Sequence, residues 1–315
     1  MKINNKRKAN NFLNKIVIGV VLAVLLLYTL SMFLMFVWGI ITSLKSNYEF
    51  LYMHNILGFP TTEHSGNELL FGNYRRAFKY FEFTKQVSFY FGETEVNHYT
   101  ENNLFTMILN TLLYAGAGGF LATIVPAITA YLCAKFKYKF SGVIYGVVVT
   151  VMTIPIIGST PAMITMMRAI GLYDTFLGYF FQKFSFCGMY FLVFHAFFET
   201  MPDTYSEAAE IDGANHYMIL FKIILPLASK MIATVFLIQF VNHWNDYQTA
   251  LIYMPTHPTL AYGVYRIAHE VTSGDLANIP TRISVCMMLA VPILIIFVIF
   301  KDKIMGNVSI GGIKG

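Results

Sequence analysis

The sequence predicts an all-α polytopic membrane protein with six transmembrane helices, a cytoplasmic loop of two short helices and a long first extracytoplasmic loop. Three observations support this prediction. Apolar and aromatic residues make up 56% of the 315 residues and charged residues 12%, against about 45–50% and about 25% in soluble domains. Six runs approach or exceed the length that crosses a bilayer. Lys and Arg cluster on alternate connections between them.

The first predicted span is residues 16–45, which follow a basic tail of residues 1–15. Its apolar run from Ile16 to Thr42 corresponds to roughly 40 Å of helix, more than the ~30 Å hydrocarbon core requires. A signal peptide has a shorter apolar region and a small-residue cleavage site. We therefore expect this first span to be retained.

Five further apolar runs predict a membrane core over residues 104–300. These runs are Leu104–Ala134, Gly142–Met167, Leu177–Phe198, Leu227–Tyr253 and Ile283–Phe300. Three prolines, Pro126, Pro155 and Pro161, lie inside them, where neighbouring helices or waters can satisfy the backbone groups that proline leaves free.

The distribution of positive charge predicts that both termini are cytoplasmic. Basic residues lie in the N-terminal tail, in the C-terminal tail of residues 301–315, and in one connection as Lys135, Lys137 and Lys139. The opposite connections carry few basic residues, namely Arg168, Lys183, Arg266 and Arg282. For Lys183, near the outer end of the fourth span, we favour snorkelling of the ammonium to the interface.

Two connections differ from the short loops. Residues 46–103 are too interrupted by polar residues to span, but contain enough apolar side chains to predict a small extracytoplasmic cap. Residues 199–226 form an acidic cytoplasmic loop whose only basic residue is Lys222. Its acidic residues are Glu199, Asp203, Glu207, Glu210 and Asp212. A partner that docks on this loop would explain its charge.

Local signals predict two short helices within the acidic loop. Thr204 and Glu207 have the spacing of a capping box, with Thr204 as the N-cap. Asp212-Gly213 is a turn pair in which glycine supplies a left-handed conformation. The second amphipathic stretch begins at Asn215 and is expected to end at Pro226, because proline cannot continue a helix interior without strain.

Other chemistry is not indicated by the sequence. The three cysteines are widely spaced in apolar stretches, as expected for buried thiols. The eight histidines show no metal-ligand spacing. The basic residues form no continuous face, which argues against a nucleic-acid partner. A phosphate-binding G-x-x-x-x-G-K-[ST] loop is absent from the sequence, so this chain is expected to take its energy from another subunit.

The acidic loop also resembles a known family motif. Glu207-Ala208-Ala209, then Gly213 four residues later, then Ile224-Leu225-Pro226 is similar to the EAA loop of ABC importer permeases. Further similarities point to the maltose-transporter type of permease subunit, in the carbohydrate-uptake branch. They are Asn73-Tyr74-Arg75-Arg76, Asn110, Gly171-Leu172, Trp244-Asn245-Asp246 and the tail from Gly306 to Gly315. The likeness covers residues 100–315 well, whereas the long loop at Tyr48–Tyr99 departs from the family.

The resemblance implies that the loop couples the spans to a cytoplasmic ATPase. The residues implied in coupling are Glu207, Ala208, Ala209, Asp212, Gly213, Leu225 and Pro226, and the tail Gly311–Gly315 is expected at the same interface. Glu207 has two competing predicted roles, pairing with a basic residue of the ATPase or closing the capping box of its own helix.

A polar group in the fifth span suggests a translocation path, because polar side chains in membrane helices usually face the bundle interior. The candidate residues are Asn110, Asn242, Trp244, Asn245 and Asp246. The competing interpretation is packing between subunits and an aromatic belt at the membrane interface.

The resemblance also implies an assembly in a bacterial inner or plasma membrane. It contains a second homologous permease, two ATPase copies that bind ATP and Mg²⁺, and an extracellular solute-binding protein, while this chain binds membrane lipid and no cofactor. The expected cargo is a sugar or oligosaccharide. The alternatives are a glycerol phosphate or polysaccharide fragment, an ion-driven secondary transporter, and a membrane-bound enzyme or receptor, for which the sequence offers few intramembrane carboxylates and no catalytic constellation.

Overall fold

A computed structural model describes residues 2–61, 71–91, 94–136, 138–154, 158–269 and 278–305. Three features that the sequence singles out lie outside these residues, namely Lys137, Pro155 and the part of the C-terminal tail from Gly306 to Gly315. Most of the described chain is α-helical.

Fifteen α-helices are described, and a β-hairpin lies between the third and the fourth. They are α1 (Lys2–Ser43), α2 (Asn47–Leu51), α3 (Gly72–Tyr80), α4 (Leu104–Lys135), α5 (Lys139–Thr153), α6 (Ser159–Ala169), α7 (Phe176–Lys183), α8 (Met189–Thr200), α9 (Thr204–Ile211), α10 (His216–Ile219), α11 (Leu225–Leu227), α12 (Ser229–Trp244), α13 (Gln248–Tyr253), α14 (Leu260–His269) and α15 (Ile279–Met305).

Three helices of the described chain are individually long and apolar enough to cross a bilayer. They are Asn14–Ser43 within α1, all of α4, and Ile279–Phe300 within α15. A further candidate consists of His216–Leu227 and Ser229–Trp244, which meet at a bend of 72°. The predicted first, second and sixth runs therefore each correspond to one continuous helix.

The third predicted run is interrupted, which corrects the expectation of a continuous helix. It contains α5 and α6 instead. Ile154 precedes Pro155, and its backbone takes the extended conformation (φ −84°, ψ 116°) that proline imposes on the preceding residue. Helix α6 then begins after Gly158, which has a left-handed φ of 80°.

The fourth and fifth predicted runs are also interrupted. The fourth contains α7 and α8, separated by the non-helical residues 184–188. The fifth contains α12 and α13, and its break falls where Asp246 accepts a hydrogen bond of 3.0 Å from the backbone N–H of Thr249. This bond from a backbone N–H of α13 to the side chain of Asp246, just before the N-cap Tyr247, favours a new start over continuation of α12.

The all-α prediction is wrong for residues 83–102, which form an antiparallel hairpin. Strand β1 (Phe83–Phe91) pairs with β2 (Thr94–Asn102), from Phe83 opposite Asn102 to Phe91 opposite Thr94. Val87 and Val96 pack against Met167 and Tyr173 in one small apolar cluster. The period of two in these side chains is typical of a strand with one covered face.

The chain divides into two compact units, one drawn from residues 1–79 and 271–288 and the other from residues 80–270 and 289–315. In the first unit, Asn73 is a hub. Its side-chain amide donates to the carbonyls of Ser43 and Lys45, at 2.8 and 2.7 Å, and its oxygen accepts from Thr281 at 3.2 Å. Asn73 thus joins α3 to the end of α1 and the start of α15.

The second unit is built on α4, which packs against α8 and α12. Gly119 allows a close approach between α4 and α12, because a Cβ at this position would lie 3.2 Å from the backbone nitrogen of Phe240. Small residues permit such close backbone contact between membrane helices. A buried apolar core lies between these helices and includes Ala127, Phe194 and Val235.

Candidate functional site

The EAA loop, defined here as Glu199–Pro226, begins with a helix whose start differs from the predicted capping box. Thr204 is the first residue of α9 and Asp203 is its N-cap, without a side-chain capping bond. The carboxylate of Asp203 instead accepts a hydrogen bond of 2.6 Å from Lys135 in the last turn of α4. The prediction that Glu207 closes a capping box is therefore wrong. Among the described residues, the carboxylate of Glu207 has no ion-pair partner.

The end of α9 has the geometry that the Asp212-Gly213 pair predicts. Gly213 has a left-handed φ of 81°. The Gly213 N–H donates to the Glu210 carbonyl at 3.0 Å, and the Ala214 N–H donates to the Ala209 carbonyl at 2.9 Å. These two bonds form a Schellman motif, which satisfies carbonyls at the helix end and fixes the exit direction of the chain.

The second part of the loop is helical in three consecutive forms. Asn215 caps α10 by accepting a hydrogen bond of 2.8 Å from the Met218 N–H. A π-helical turn, Leu220–Ile224, follows and leads into α11. The predicted end at Pro226 is wrong by one residue, since α11 continues to Leu227. In a regular α-helix, proline at position 226 would lack the N–H that bonds to the carbonyl four residues earlier, and its ring would clash with that carbonyl. The wider π turn before Pro226 avoids both problems.

The inner side of the EAA loop is anchored in the apolar core. Ala209, Ile219 and Ile224 are buried in the same cluster as Phe194 and Phe198 of α8. Ala209 thus supports the loop from inside, and Leu225 also packs against this cluster. Burial of this apolar surface holds the two helical parts of the loop in fixed positions.

The outer side of the EAA loop exposes both apolar side chains and carboxylates. Ile211 is 86% exposed and Tyr217 is 77% exposed. The exposed residues that accompany them are Tyr205, Glu207, Ala208, Glu210, Asp212, Gly213, Phe221 and Pro226. Such an apolar surface with acidic neighbours is typical of a protein-binding face.

Some of the candidate translocation residues have partners in the interior of the protein, and these form the inner set; the others are exposed or lie elsewhere. Asp246 accepts a hydrogen bond of 2.7 Å from the hydroxyl of Tyr114. Tyr114 stacks on Tyr179 with ring centroids 4.0 Å apart, and the Tyr179 hydroxyl donates to the Tyr114 carbonyl at 3.0 Å. Asp246 therefore joins α12 and α13 to α4 and α7 through a buried polar cluster.

Trp244 belongs to the inner set. Its ring is 2% exposed, and its indole N–H donates to the Leu289 carbonyl at 3.2 Å. Beside it, the Nδ1 of His243 lies 2.6 Å from the Gln239 carbonyl. In this conformation Trp244 locks α12 to α15 and offers no free face on which a sugar could stack.

The remaining candidates lie elsewhere. Asn110 donates a hydrogen bond of 3.1 Å to the Pro258 carbonyl and so ties α4 to the connection before α14. Asn242 and Asn245 are exposed, and Asn245 bonds to the Val241 carbonyl one turn earlier at 2.9 Å. Of the five predicted residues, Trp244 is buried against α15, Asp246 is partly buried against Tyr114, and the structure does not bring the five together at one site.

A second polar cluster, centred on Asp174, was missed in the sequence. Asp174 is fully buried with a φ of 59°, and its carboxylate accepts from the N–H and hydroxyl of Thr256 at 3.0 and 2.7 Å. His98 of β2 lies 2.8 Å away and His257 lies 3.6 Å away. Burial opposes ionisation of Asp174, but the nearby His257 ring and the hydrogen bonds from Thr256 and His98 outweigh it and hold the pKa of Asp174 below its ordinary value.

A family model decides the kind of protein that carries these features. The model for the inner membrane component of binding-protein-dependent transport systems matches residues 122–305, which is more than half of the chain. The chain belongs to this family. The permease is therefore a non-catalytic membrane subunit of an ABC importer, in which a separate subunit hydrolyses ATP. This confirms the resemblance and excludes the secondary-transporter alternative.

The permease is similar to several curated proteins. It is 26% identical to the sulfoquinovosyl glycerol transport system permease protein SmoH of Agrobacterium fabrum, across 69% of this chain and 76% of that protein. It is 25% identical to the maltose/maltodextrin permease protein MalG of Vibrio vulnificus, across 67% and 72%. It is also 25% identical to the sn-glycerol-3-phosphate permease protein UgpE of Pectobacterium atrosepticum, across 64% and 72%.

A solved structure shares the fold of the permease. A bacterial ABC transporter involved in the import of the acidic polysaccharide alginate superposes with a TM-score of 0.68 at 22% identity. The match covers 91% of this chain and 96% of that chain. The two chains therefore share a fold over most of their lengths.

Proposed function

We propose that this permease passes a sugar or oligosaccharide from an extracellular binding protein into the cytoplasm, driven by ATP hydrolysis on a partner subunit. The observation that carries the proposal is the EAA loop, a pair of short helices that is anchored by Ala209, Ile219 and Ile224 and exposes Ile211 and Tyr217. A loop held this way can transmit a displacement from an ATPase to α8 and α12. The names of the related permeases support a carbohydrate cargo.

The proposed assembly contains four further subunits. They are a second, homologous permease, two copies of a cytoplasmic ATPase that bind ATP and Mg²⁺, and the binding protein that delivers the solute. Within this chain, α5 with α6, α7 with α8, and the helices from α12 to α13 would each complete one interrupted span. Six spans then place both termini and the EAA loop in the cytoplasm, as the distribution of Lys and Arg predicts.

The proposed docking face is the outer side of the EAA loop. Glu207, Ala208, Asp212 and Gly213 are exposed there, and the ATPase would contribute basic and apolar side chains to them. In this proposal Ala209, Leu225 and Pro226 act differently, since Ala209 and Leu225 pack inward and Pro226 precedes the bend of 72° that leads into α12. They maintain the shape of the loop.

A second candidate cargo is an anionic small solute or a polysaccharide fragment. The similarity to a permease for sn-glycerol-3-phosphate supports this alternative as directly as the similarity to MalG supports a neutral sugar. The machinery and the coupling loop would be the same in both cases, and only the solute would differ.

Purification of the affinity-tagged permease after co-expression with its partner subunits tests the assembly. The expected result is a stable complex with a second permease and an ATPase, and uptake of saccharide into vesicles that requires ATP and the binding protein. A permease that purifies alone under these conditions, or uptake driven by an ion gradient without ATP, would contradict the proposal.

A further inference from the structure

A cavity lies beside the break between α7 and α8. Residues 184–188 are non-helical, and beside them lies a cavity of about 180 Å³. Its lining includes the side chains of Gln182, Lys183, Tyr190 and Gln239. Typical sites for small ligands measure about 300–1,000 Å³, so this one fits a single sugar residue or its substituent.

Lys183 is the only cation that lines this cavity, and it has no carboxylate within 4 Å among the described residues. Its ammonium lies 5.3 Å from the ring centroid of Tyr179, which is a cation–π contact. Asp246 acts on Lys183 electrostatically, but from beyond the 4 Å of a salt bridge. The three N–H groups of the ammonium therefore lack an anionic acceptor in this conformation.

The position of Lys183 also argues against simple snorkelling. The side chain is only partly exposed and is directed to Tyr179 and the cavity. Charged residues within membrane spans are costly and usually mark a pathway for a substrate or ion. A cation that lines a cavity beside an interrupted helix, with no salt-bridge partner among the described residues, thus has the features of a substrate-binding position.

The neutral groups of the cavity suit the rest of a saccharide. Gln182 and Gln239 supply amides, and Tyr190 and Ser185 supply hydroxyls. The amide of Gln239 makes only a long hydrogen bond of 3.5 Å to the Ala122 carbonyl. Amides and hydroxyls both donate and accept, which matches the hydroxyl groups of a sugar ring.

We propose that this cavity is a subsite for an acidic saccharide, in which Lys183 pairs with an anionic substituent and Gln182 and Gln239 bind neighbouring hydroxyls. The proposal rests on the proposed function as an importer and names the class of its cargo. A carboxylate, sulfonate or phosphate on the sugar would be recognised by the same ammonium group.

The test uses the complete importer in proteoliposomes with its binding protein, supplied with tri-galacturonate or with its fully methyl-esterified form. Replacement of Lys183 by Met removes the charge and keeps much of the side-chain volume, whereas Lys183→Arg retains the charge. Lys79→Met, at an exposed lysine of α3, is the control. The expected result is at least a tenfold loss of tri-galacturonate uptake in K183M, less than a twofold change with the ester, and a smaller loss in K183R.

Each other outcome overturns the subsite. Equal uptake of tri-galacturonate by K183M and wild type excludes a role for the charge. An equal loss for acid and ester, with a lower Tm, indicates a structural role. A loss that appears only in vesicles with anionic lipid indicates that Lys183 binds a lipid headgroup. ATP-driven uptake of neutral sugars alone leaves the proposed function intact but rejects the acidic cargo, and the absence of ATP-driven saccharide uptake rejects both.

Discussion

The ammonium of Lys135 lies 2.6 Å from the Oδ1 of Asp203, and this contact joins the last turn of α4 to the first turn of α9. Lys135 also donates to the backbone carbonyl of Met201. The Lys135 side chain is 11% exposed, whereas that of Asp203 is 71% exposed. The contact therefore positions the EAA loop on a helix of the core more than it stabilises the fold, because water around the exposed Asp203 carboxylate screens the attraction and keeps the pair near about 0–1 kcal/mol.

Removal of this contact is expected to weaken coupling with little loss of stability. Lys135→Met and Asp203→Asn should each change the free energy of unfolding by about 1 kcal/mol or less. Each should raise the number of ATP molecules hydrolysed per solute imported. The double variant should resemble either single variant, because both remove the same interaction. Additive losses of coupling in the double variant would show that the two residues act separately.

We predict that the end of α9 requires glycine at position 213 because of its backbone conformation, and not because a side chain would clash. Its φ of 81° is left-handed, and no atom lies within 4 Å of a Cβ built there. Gly213→Ala should therefore destabilise the end of α9 by about 1–2 kcal/mol, through backbone strain without a steric clash. Faster amide exchange at residues 209–214 would measure this effect.

The matched control is Gly146→Ala in α5, where a Cβ also meets no atom within 4 Å and the backbone is helical. Alanine at this site should be neutral or slightly stabilising because it favours helix. If the two variants behave alike, the turn does not depend on the left-handed conformation of Gly213.

Gly119 is predicted to set the distance between α4 and α12. A Cβ at this position would lie 3.2 Å from the backbone nitrogen of Phe240, so Gly119→Ala requires the two backbones to yield by a few tenths of an ångström. The expected destabilisation is about 1–3 kcal/mol, measured as a lower Tm of the purified permease. Gly116→Ala on the same helix meets no atom within 4 Å and should leave the Tm unchanged or slightly higher, because alanine favours helix. Equal Tm values for both variants would contradict close packing at Gly119.

Asp174 is predicted to make stability depend on acid pH. Its pKa is lowered in the folded protein, so ionisation of Asp174 stabilises the fold fully above the ordinary Asp pKa of about 3.9. This stabilisation is lost as the pH falls through the lower, folded-state pKa. The loss below about pH 4 should appear in thermal unfolding of the wild type and be reduced in Asp174→Asn.

Asparagine tolerates the left-handed φ of 59° at this position, so Asp174→Asn tests the charge and its hydrogen bonds without backbone strain. At neutral pH the variant should be destabilised by about 1–3 kcal/mol, because the donors of Thr256 and His98 lose an ionised acceptor. Asp212→Asn, at an exposed carboxyl of the EAA loop, is the control and should have little effect on Tm. An identical acid transition in wild type and Asp174→Asn would contradict the role of this carboxylate.

Much of the membrane fold could be predicted from the sequence, because long apolar runs such as Leu104–Ala134 have few alternatives to a spanning helix. The breaks were harder to predict, since the run at residues 177–198 is apolar on both sides of Gly188 and hydropathy does not distinguish one helix from two. The side chains of the hairpin at residues 83–102 alternate with a period of two, which is the pattern of a strand. The low apolar content of the hairpin made this pattern hard to recognise. The Asp174 cluster joins residues 98, 174 and 256, and no local pattern could have revealed it.

In the EAA loop, the turn at Gly213 was predicted correctly because it depends on local backbone preference. The capping box at Thr204 was wrong because a distant residue decides this helix start. Lys135 takes the carboxylate of Asp203, and Asp203 has a helical backbone conformation (φ −71°, ψ −18°) that places Thr204 inside the helix. Because Glu207 does not cap its own helix, its carboxylate is available to a partner.

The most direct measurement of the central claim is the recovery of the ATPase with affinity-tagged permease that carries Glu207→Arg. Glu207 is exposed and lacks a cap role, so reversal of its charge should leave the Tm within about 1 °C of the wild type. We predict that ATPase recovery and ATP-driven uptake fall at least tenfold, while Glu101→Arg, at an exposed residue of β2, leaves both unchanged. Wild-type recovery of the ATPase together with wild-type uptake in Glu207→Arg would contradict the role of the EAA loop in coupling.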